Sequence, residues 1–276
     1  YSLITSGVDN KIFVWDPVFG FLIKKLDGHN DNITGLHYFN GVNKIISSGK
    51  DGWVKVWDLT TGKPVININN RSSVLSLCFN DSSSKIFITD SNGFLKAYNS
   101  KGSLLKKIDS NTILTEAIAF SKNKNIVLTG NNNGNVIIYD ANDYSKRNSY
   151  NLGERIRKIL VSNDGSYAYF LKGNNNIDEL NITTGVFRNY ENNNDILDFA
   201  INDNKVVFVE KGGGVKFIRI SDFVINGYFV YSSGYPTRVT FDSDGQYIAL
   251  GGWGINNIKI KEVNSTLLVE KKNTLP

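Results

Sequence analysis

The side chains able to carry acid–base, nucleophilic or metal chemistry are few in this chain of 276 residues. It has two histidines, His29 and His37, and one cysteine, Cys78. A single thiol excludes an internal disulfide framework and a cysteine-built zinc site. Two histidines leave little room for a histidine-rich metal cluster. The sequence contains no Gly-x-Ser-x-Gly elbow, no Gly-x-x-x-x-Gly-Lys-Ser/Thr loop and no His-Glu-x-x-His. Gly212-Gly213-Gly214 stands where a turn between two strands is expected. No helix follows it whose N-terminus could hold a phosphate. Asp242-Ser243-Asp244-Gly245 matches only the opening of a calcium loop and lacks the closing Glu. With Asp140 and Asp143 it reads as turn chemistry. Cys78 sits in the alternating run Val74–Phe79 and reads as a small core or channel residue. The expectation is a protein without catalytic residues, cofactor or metal.

The elements that would position any site must then be read from composition and pattern. Lys plus Arg number 31 against 26 Asp plus Glu, a net charge of +5, and 41% of residues are apolar or aromatic. That is enough to build a sizeable core, and the mild, scattered positive charge disfavours nucleic acid as a partner. No apolar run approaches the roughly 20 residues needed to cross a bilayer as a helix. There are no methionines and 37 asparagines. Without methionine, Tyr1 is expected to lie downstream of the initiator.

A period near 41 residues runs through the chain. Ile12-Phe13-Val14-Trp15-Asp16 returns as Val54-Lys55-Val56-Trp57-Asp58. Tyr98, Tyr139, Leu180, Ile218 and Lys261 continue the series, making seven copies of decaying quality. The best copy divides into four short runs, 33–39, 44–48, 53–57 and 64–68, with Asn40-Gly41, Asp51-Gly52 and Thr61-Gly62 between them. Short β-branched runs separated by turn residues predict an all-β fold with few helices.

Gly28-His29, Ile33-Thr34-Gly35-Leu36, Ile46–Gly52 and Val56-Trp57-Asp58 together resemble one full WD-repeat. The resemblance covers the whole chain, strongest over 1–68 and looser after about 170. It implies a single domain over 1–276: a seven-bladed β-propeller of four-stranded antiparallel blades. Three strands fall in the first copy and four in each of the others, so 27 are expected. The first blade would lack its innermost strand, expected before Tyr1. The resemblance further implies that His29, Ser47, Asp51 and Trp57 form a buried hydrogen-bonded tetrad. The third copy has Ile88 and Asn92 at the Ser47 and Asp51 positions, and the fourth has Thr129 and Asn133. Later blades are therefore expected to rely on apolar packing.

A propeller of this family implies a scaffold that binds a protein or peptide on the rim formed by the turns entering the first strand and joining the second to the third. Those turns hold Lys50, Arg71, Glu116, Arg155, Arg157, Tyr235 and Trp253. Trp253, flanked by glycine in Gly251-Gly252-Trp253-Gly254, is expected in a turn. With Arg155, Arg157 and Tyr235 it would read an acidic or aromatic peptide, since aromatic and Arg side chains dominate hot spots. Nothing signals homo-oligomerisation. The rival readings are an accessory subunit whose open first blade another chain completes, and an enzyme or ligand binder using the channel mouth.

Overall fold

A computed structural model describes residues 2–39, 43–109, 114–173, 175–230, 234–253 and 258–263, with Trp253 described in its backbone alone. The described residues form 26 strands in seven antiparallel sheets and no helix. The chain divides into two compact units, residues 1–159 and 160–276.

In the first unit, β1 (Leu3–Ser6), β2 (Ile12–Trp15) and β3 (Leu22–Leu26) make a three-stranded sheet. The second sheet is β4 (Ile33–Phe39), β5 (Lys44–Gly49), β6 (Trp53–Asp58) and β7 (Lys63–Asn69). The third is β8 (Val74–Asn80), β9 (Lys85–Asp90), β10 (Phe94–Tyr98) and β11 (Leu104–Asp109). The fourth is β12 (Thr115–Ser121), β13 (Ile126–Asn131), β14 (Asn135–Asp140) and β15 (Lys146–Asn151). The fifth sheet, β16 (Ile156–Val161), β17 (Tyr167–Lys172), β18 (Ile177–Asn181) and β19 (Phe187–Tyr190), begins at the unit boundary. The second unit continues with β20 (Ile196–Ile201), β21 (Lys205–Glu210), β22 (Gly214–Arg219) and β23 (Val224–Val230). It ends with β24 (Tyr235–Phe241), β25 (Tyr247–Trp253) and β26 (Lys259–Glu262). The twenty-seventh strand expected from the sequence falls on 264–276, outside the described residues.

The period is visible in the backbone itself. A bulge opens the first strand of the second, third and fourth sheets at Ile33/Gly35, Val74/Ser76 and Thr115/Ala117. A second recurs late in the third strand at Val56/Trp57, Ala97/Tyr98 and Ile138/Tyr139. Bulges raise the local twist. Alternation then gives the sheets apolar faces, which pack on neighbouring sheets within each unit. Ile46, Val54, Val56 and Ile68 of the second sheet pack on Val74, Phe79, Ile86, Ile88 and Tyr98 of the third. Each large side chain so buried is worth about 1.5–3 kcal/mol.

Within each unit a cation fastens one sheet to the next. Lys24 Nζ donates to the carbonyls of Leu59 and Thr60 at 2.9 and 2.6 Å. Lys85 Nζ donates to Ala141 at 2.8 Å. Arg188 donates to Ile220 and Ser221 at 3.0 and 3.1 Å. In all three the acceptors begin at the residue following the third strand of the next sheet, where a carbonyl has left its ladder.

Candidate functional site

At one end of the first unit's sheets the turns are stitched together by backbone bonds. Lys50, Ser91 and Asn132 donate their N–H groups to the carbonyls of Asn32, Ser73 and Leu114 at 2.9, 2.9 and 3.1 Å. Asn70 and Leu152 donate to Gly52 and Gly134, both at 2.9 Å. These turns form the rim. The polar side chains directly beneath them differ from sheet to sheet.

Under the second sheet's turn lie His29, Ser47, Asp51 and Trp57. Trp57 Nε1 donates to Ser47 Oγ at 2.8 Å, and Ser47 Oγ lies 2.7 Å from His29 Nε2. His29 Nδ1 is 2.9 Å from Asp51 Oδ2, which also accepts the Asn30 N–H at 2.9 Å. Asp51 Oδ1 accepts the Trp53 N–H at 3.1 Å. An indole only donates and a carboxylate only accepts. With a neutral ring the chain has one consistent direction: Trp57 to Ser47, Ser47 to Nε2, and Nδ1–H to Asp51. Burial, the largest influence, holds the His29 pKa below its ordinary 6.5, although the bond to Asp51 pulls the other way. Two glycines make room. A Cβ on Gly28 would lie 2.9 Å from the Trp57 ring, and one on Gly49 would lie 2.6 Å from Asp51 and 2.8 Å from His29.

His37, on β4, is likewise held below 6.5 by burial, and its Nε2 has no hydrogen-bond partner. Both rings stay neutral where an unfolded histidine would take a proton. The unfolded chain therefore binds more protons as pH falls below 6.5, and stability present above that pH is lost toward the folded-state values. Urea unfolding at pH 7.5 and 5.5 is expected to show the loss, at most about 1.4 kcal/mol per pH unit for each ring. An unchanged midpoint would contradict the neutral assignment.

Beneath the third sheet's turn the solution is different, and the expectation of apolar packing alone is corrected. The fully buried Asp90 carboxylate pairs with Lys96 Nζ at 2.7 Å and accepts from Ser72 Oγ at 2.9 Å and Asn70 Nδ2 at 3.2 Å. Asn70 Oδ1 in turn accepts from Lys96 at 2.7 Å and from the Tyr98 hydroxyl at 3.1 Å. Burial raises the Asp90 pKa, but Lys96 and the hydrogen bonds from Phe94, Asn70 and Ser72 outweigh it and leave the group below the carboxylate norm. In the fourth sheet Asn131 Oδ1 accepts the N–H groups of Asn133 and Asn135, both at 3.0 Å.

In the second unit Lys172 pairs with Asp178 at 2.9 Å, and Glu210 with Lys216 at 2.7 Å, Asn192 bonding both partners of the latter pair. Asp90–Lys96, Lys172–Asp178 and Glu210–Lys216 are all six residues apart across the same hairpin, the second with its signs exchanged. Charged residues needing partners in otherwise apolar strands were the readable signal. Asn70 also lies one period of 41 after His29.

The rim residues expected from the sequence fall on both units, each taken by itself. In the first, Lys50 is exposed on the turn after β5, Arg155 pairs with Glu116, and Arg157 is half-buried in β16. In the second, Tyr235 opens β24 and is 57% exposed. Trp253 departs from expectation: it ends β25 and is paired with Tyr235, in a strand rather than a turn. Its glycines serve a close approach. A Cβ on Gly252 would lie 2.1 Å from the Tyr235 carbonyl, beside the Pro236/Arg238 bulge. Gly212 and Gly213 do form the turn between β21 and β22. Cys78 is buried, which pushes its thiol pKa up. Among the described residues no three His, Cys, Asp or Glu side chains converge as metal ligands, and no helix is long and apolar enough to cross a membrane.

The family model "WD domain, G-beta repeat" matches residues 20–58, the segment that holds the tetrad. The β-propeller domain of Cps50 (Swd1) from Myceliophteria thermophila matches 95% of this chain and 93% of its own, with a TM-score of 0.85 at 15% identity. The fold is an all-β, seven-bladed β-propeller, and residues 20–58 are similar to a WD repeat. The propeller is also similar to a guanine nucleotide-binding protein subunit beta-like protein of Encephalitozoon cuniculi, 26% identical over 54% of this chain and 48% of that one. The small ribosomal subunit protein RACK1y of Oryza sativa is 31% identical over 28% of the propeller chain and 23% of its own. The propeller chain thus spans about half or less of these curated relatives.

Proposed function

We propose that the propeller is a non-catalytic protein-interaction scaffold, with Lys50, Arg155 and Arg157 on the first unit and Tyr235 and Trp253 on the second as partner-binding positions. The observation that carries this reading is where the polar chemistry goes. The functional-looking groups, His29, Ser47, Asp51 and Asp90, are consumed in hydrogen bonds beneath the turns. What the turns present outward is, on the first unit, a stitched backbone with Lys50 and Arg155, and, on the second, an exposed Tyr235. Two relatives whose names describe subunits of larger assemblies fit the same role.

Affinity capture from the native source with quantitative mass spectrometry tests it. Lys50→Ala with Arg155→Ala, and separately Tyr235→Ala, are expected to deplete specific partners at least fivefold at unchanged melting temperature. Identical partner sets for wild type and both variants would overturn the reading.

A further inference from the structure

Residues 1–159 carry 20 Lys and Arg against 13 Asp and Glu, a net +7, whereas residues 160–276 carry 11 against 13, a net −2. Position sharpens this excess on two adjoining rim turns. Ser73 Oγ donates to the Lys50 carbonyl at 2.7 Å, and Asn70 N–H donates to the Gly52 carbonyl at 2.9 Å, so the Lys50 and Arg71 turns are joined. Both cations are exposed, and neither forms an ion pair with an acid among the described residues. Of the acids beside them, Asp51 holds His29 and Asp90 is sealed under Lys96 and Asn70, while Asp31 stays exposed and accepts the Asn32 N–H at 2.6 Å.

Arg71 is also held in place at a cost. Its φ is +62°, a left-handed conformation that side-chain-bearing residues other than Asn and Asp seldom adopt. It is fixed there because Asn69 Oδ1 accepts its N–H at 2.9 Å and Asn70, its other anchor, is buried in the Asp90–Lys96–Tyr98 network. Such strain persists where the surroundings over-determine it. The result is an exposed arginine on a fixed backbone turn beside the Lys50 ammonium, with the Asp51 and Asp90 carboxylates held beneath them.

We infer that Lys50 and Arg71 clamp the carboxylates of an acidic segment of a partner polypeptide. This rests on the scaffold reading and gives it a partner chemistry. Arg–carboxylate pairing supplies geometry as well as charge.

The test is fluorescence anisotropy of a labelled deca-glutamate peptide with the full chain at 50 mM and 300 mM salt. Wild type is expected to bind, more weakly at high salt. Lys50→Ala with Arg71→Gly is expected to weaken binding at least tenfold. Lys106→Ala with Lys107→Ala, on the exposed strand β11, is expected to change it less than twofold. Glycine suits the φ of residue 71, so Arg71→Gly alone is expected to leave the melting temperature unchanged or raise it. No binding, equal losses in both double variants, or a clamp variant within twofold of wild type would each overturn the clamp. Should the clamp fail while partner capture still depends on Arg155 or Tyr235, the scaffold stands and this anchor alone is wrong.

Discussion

Asp90→Ala is expected to lower the unfolding free energy by about 3–5 kcal/mol, because it strands the Lys96 ammonium in a buried site. Lys96 is 9% exposed, and what remains around it, the Asn70 side-chain oxygen and the Phe94 ring, cannot neutralise it. The size of the loss comes from the orphaned charge rather than from the net worth of the pair. The double variant Asp90→Ala/Lys96→Met, which removes both charges, is therefore expected to be more stable than Asp90→Ala alone. Urea midpoints for the wild type, both single variants and the double variant close the cycle. A double variant less stable than Asp90→Ala would show that the ion pair is not what makes the single substitution costly.

Trp57→Ala is the second large effect, expected at about 3–5 kcal/mol. The ring is buried among Ile12, Leu26 and Ile45, with Ile4, Ile33, Leu36 and Leu59 around them, so its loss opens a cavity between the first two sheets. It also removes the donor that fixes the direction of the Ser47–His29–Asp51 bonds. Trp57→Phe separates the two contributions, since it keeps an aromatic body and drops the N–H. It is expected to cost about 1–3 kcal/mol, the scale of one buried polar group left unpaired. A Trp57→Phe variant as stable as wild type would mean that the tetrad's hydrogen bonds add nothing beyond packing.

The fold was legible because its period is written in residues with strong local preferences. Val54 and Val56 alternate with Trp53 and Lys55 as a half-buried strand must, up to the bulge at Val56/Trp57, and Asp51-Gly52 marks the turn before it. The expected run 33–39 coincides with β4 itself. The third sheet's network was not legible as a variant of the second's, because the acid moves. Asp51 lies in the turn, whereas Asp90 occupies the Gly49 position at the end of a strand and recruits Lys96 from the next. A substitution two residues away in sequence, compensated six residues later, breaks a motif while preserving the physics of a satisfied buried acid. Trp253 was misplaced for a related reason. Glycine marks either a turn or a close backbone approach, and only the Tyr235 carbonyl facing Gly252 decides between them.

The charge pattern of the rim was hidden for the same reason. Counting Lys50, Asp51, Arg71 and Asp90 along the chain gives two of each sign and no field. Once Asp51 and Asp90 are buried against His29 and Lys96, Lys50 and Arg71 are what these four positions present outward.

Amide hydrogen exchange of the full chain, with and without the partner obtained by affinity capture, tests the scaffold claim most directly. Binding is expected to slow exchange in the rim turns at 30–32, 50–53, 70–73 and 91–93. The turns at the other end of the same sheets, 16–21, 59–62 and 99–102, are expected to exchange as in the free chain. Protection confined to those opposite turns or to the outer strands β7 and β11, with the rim unchanged, would contradict the account.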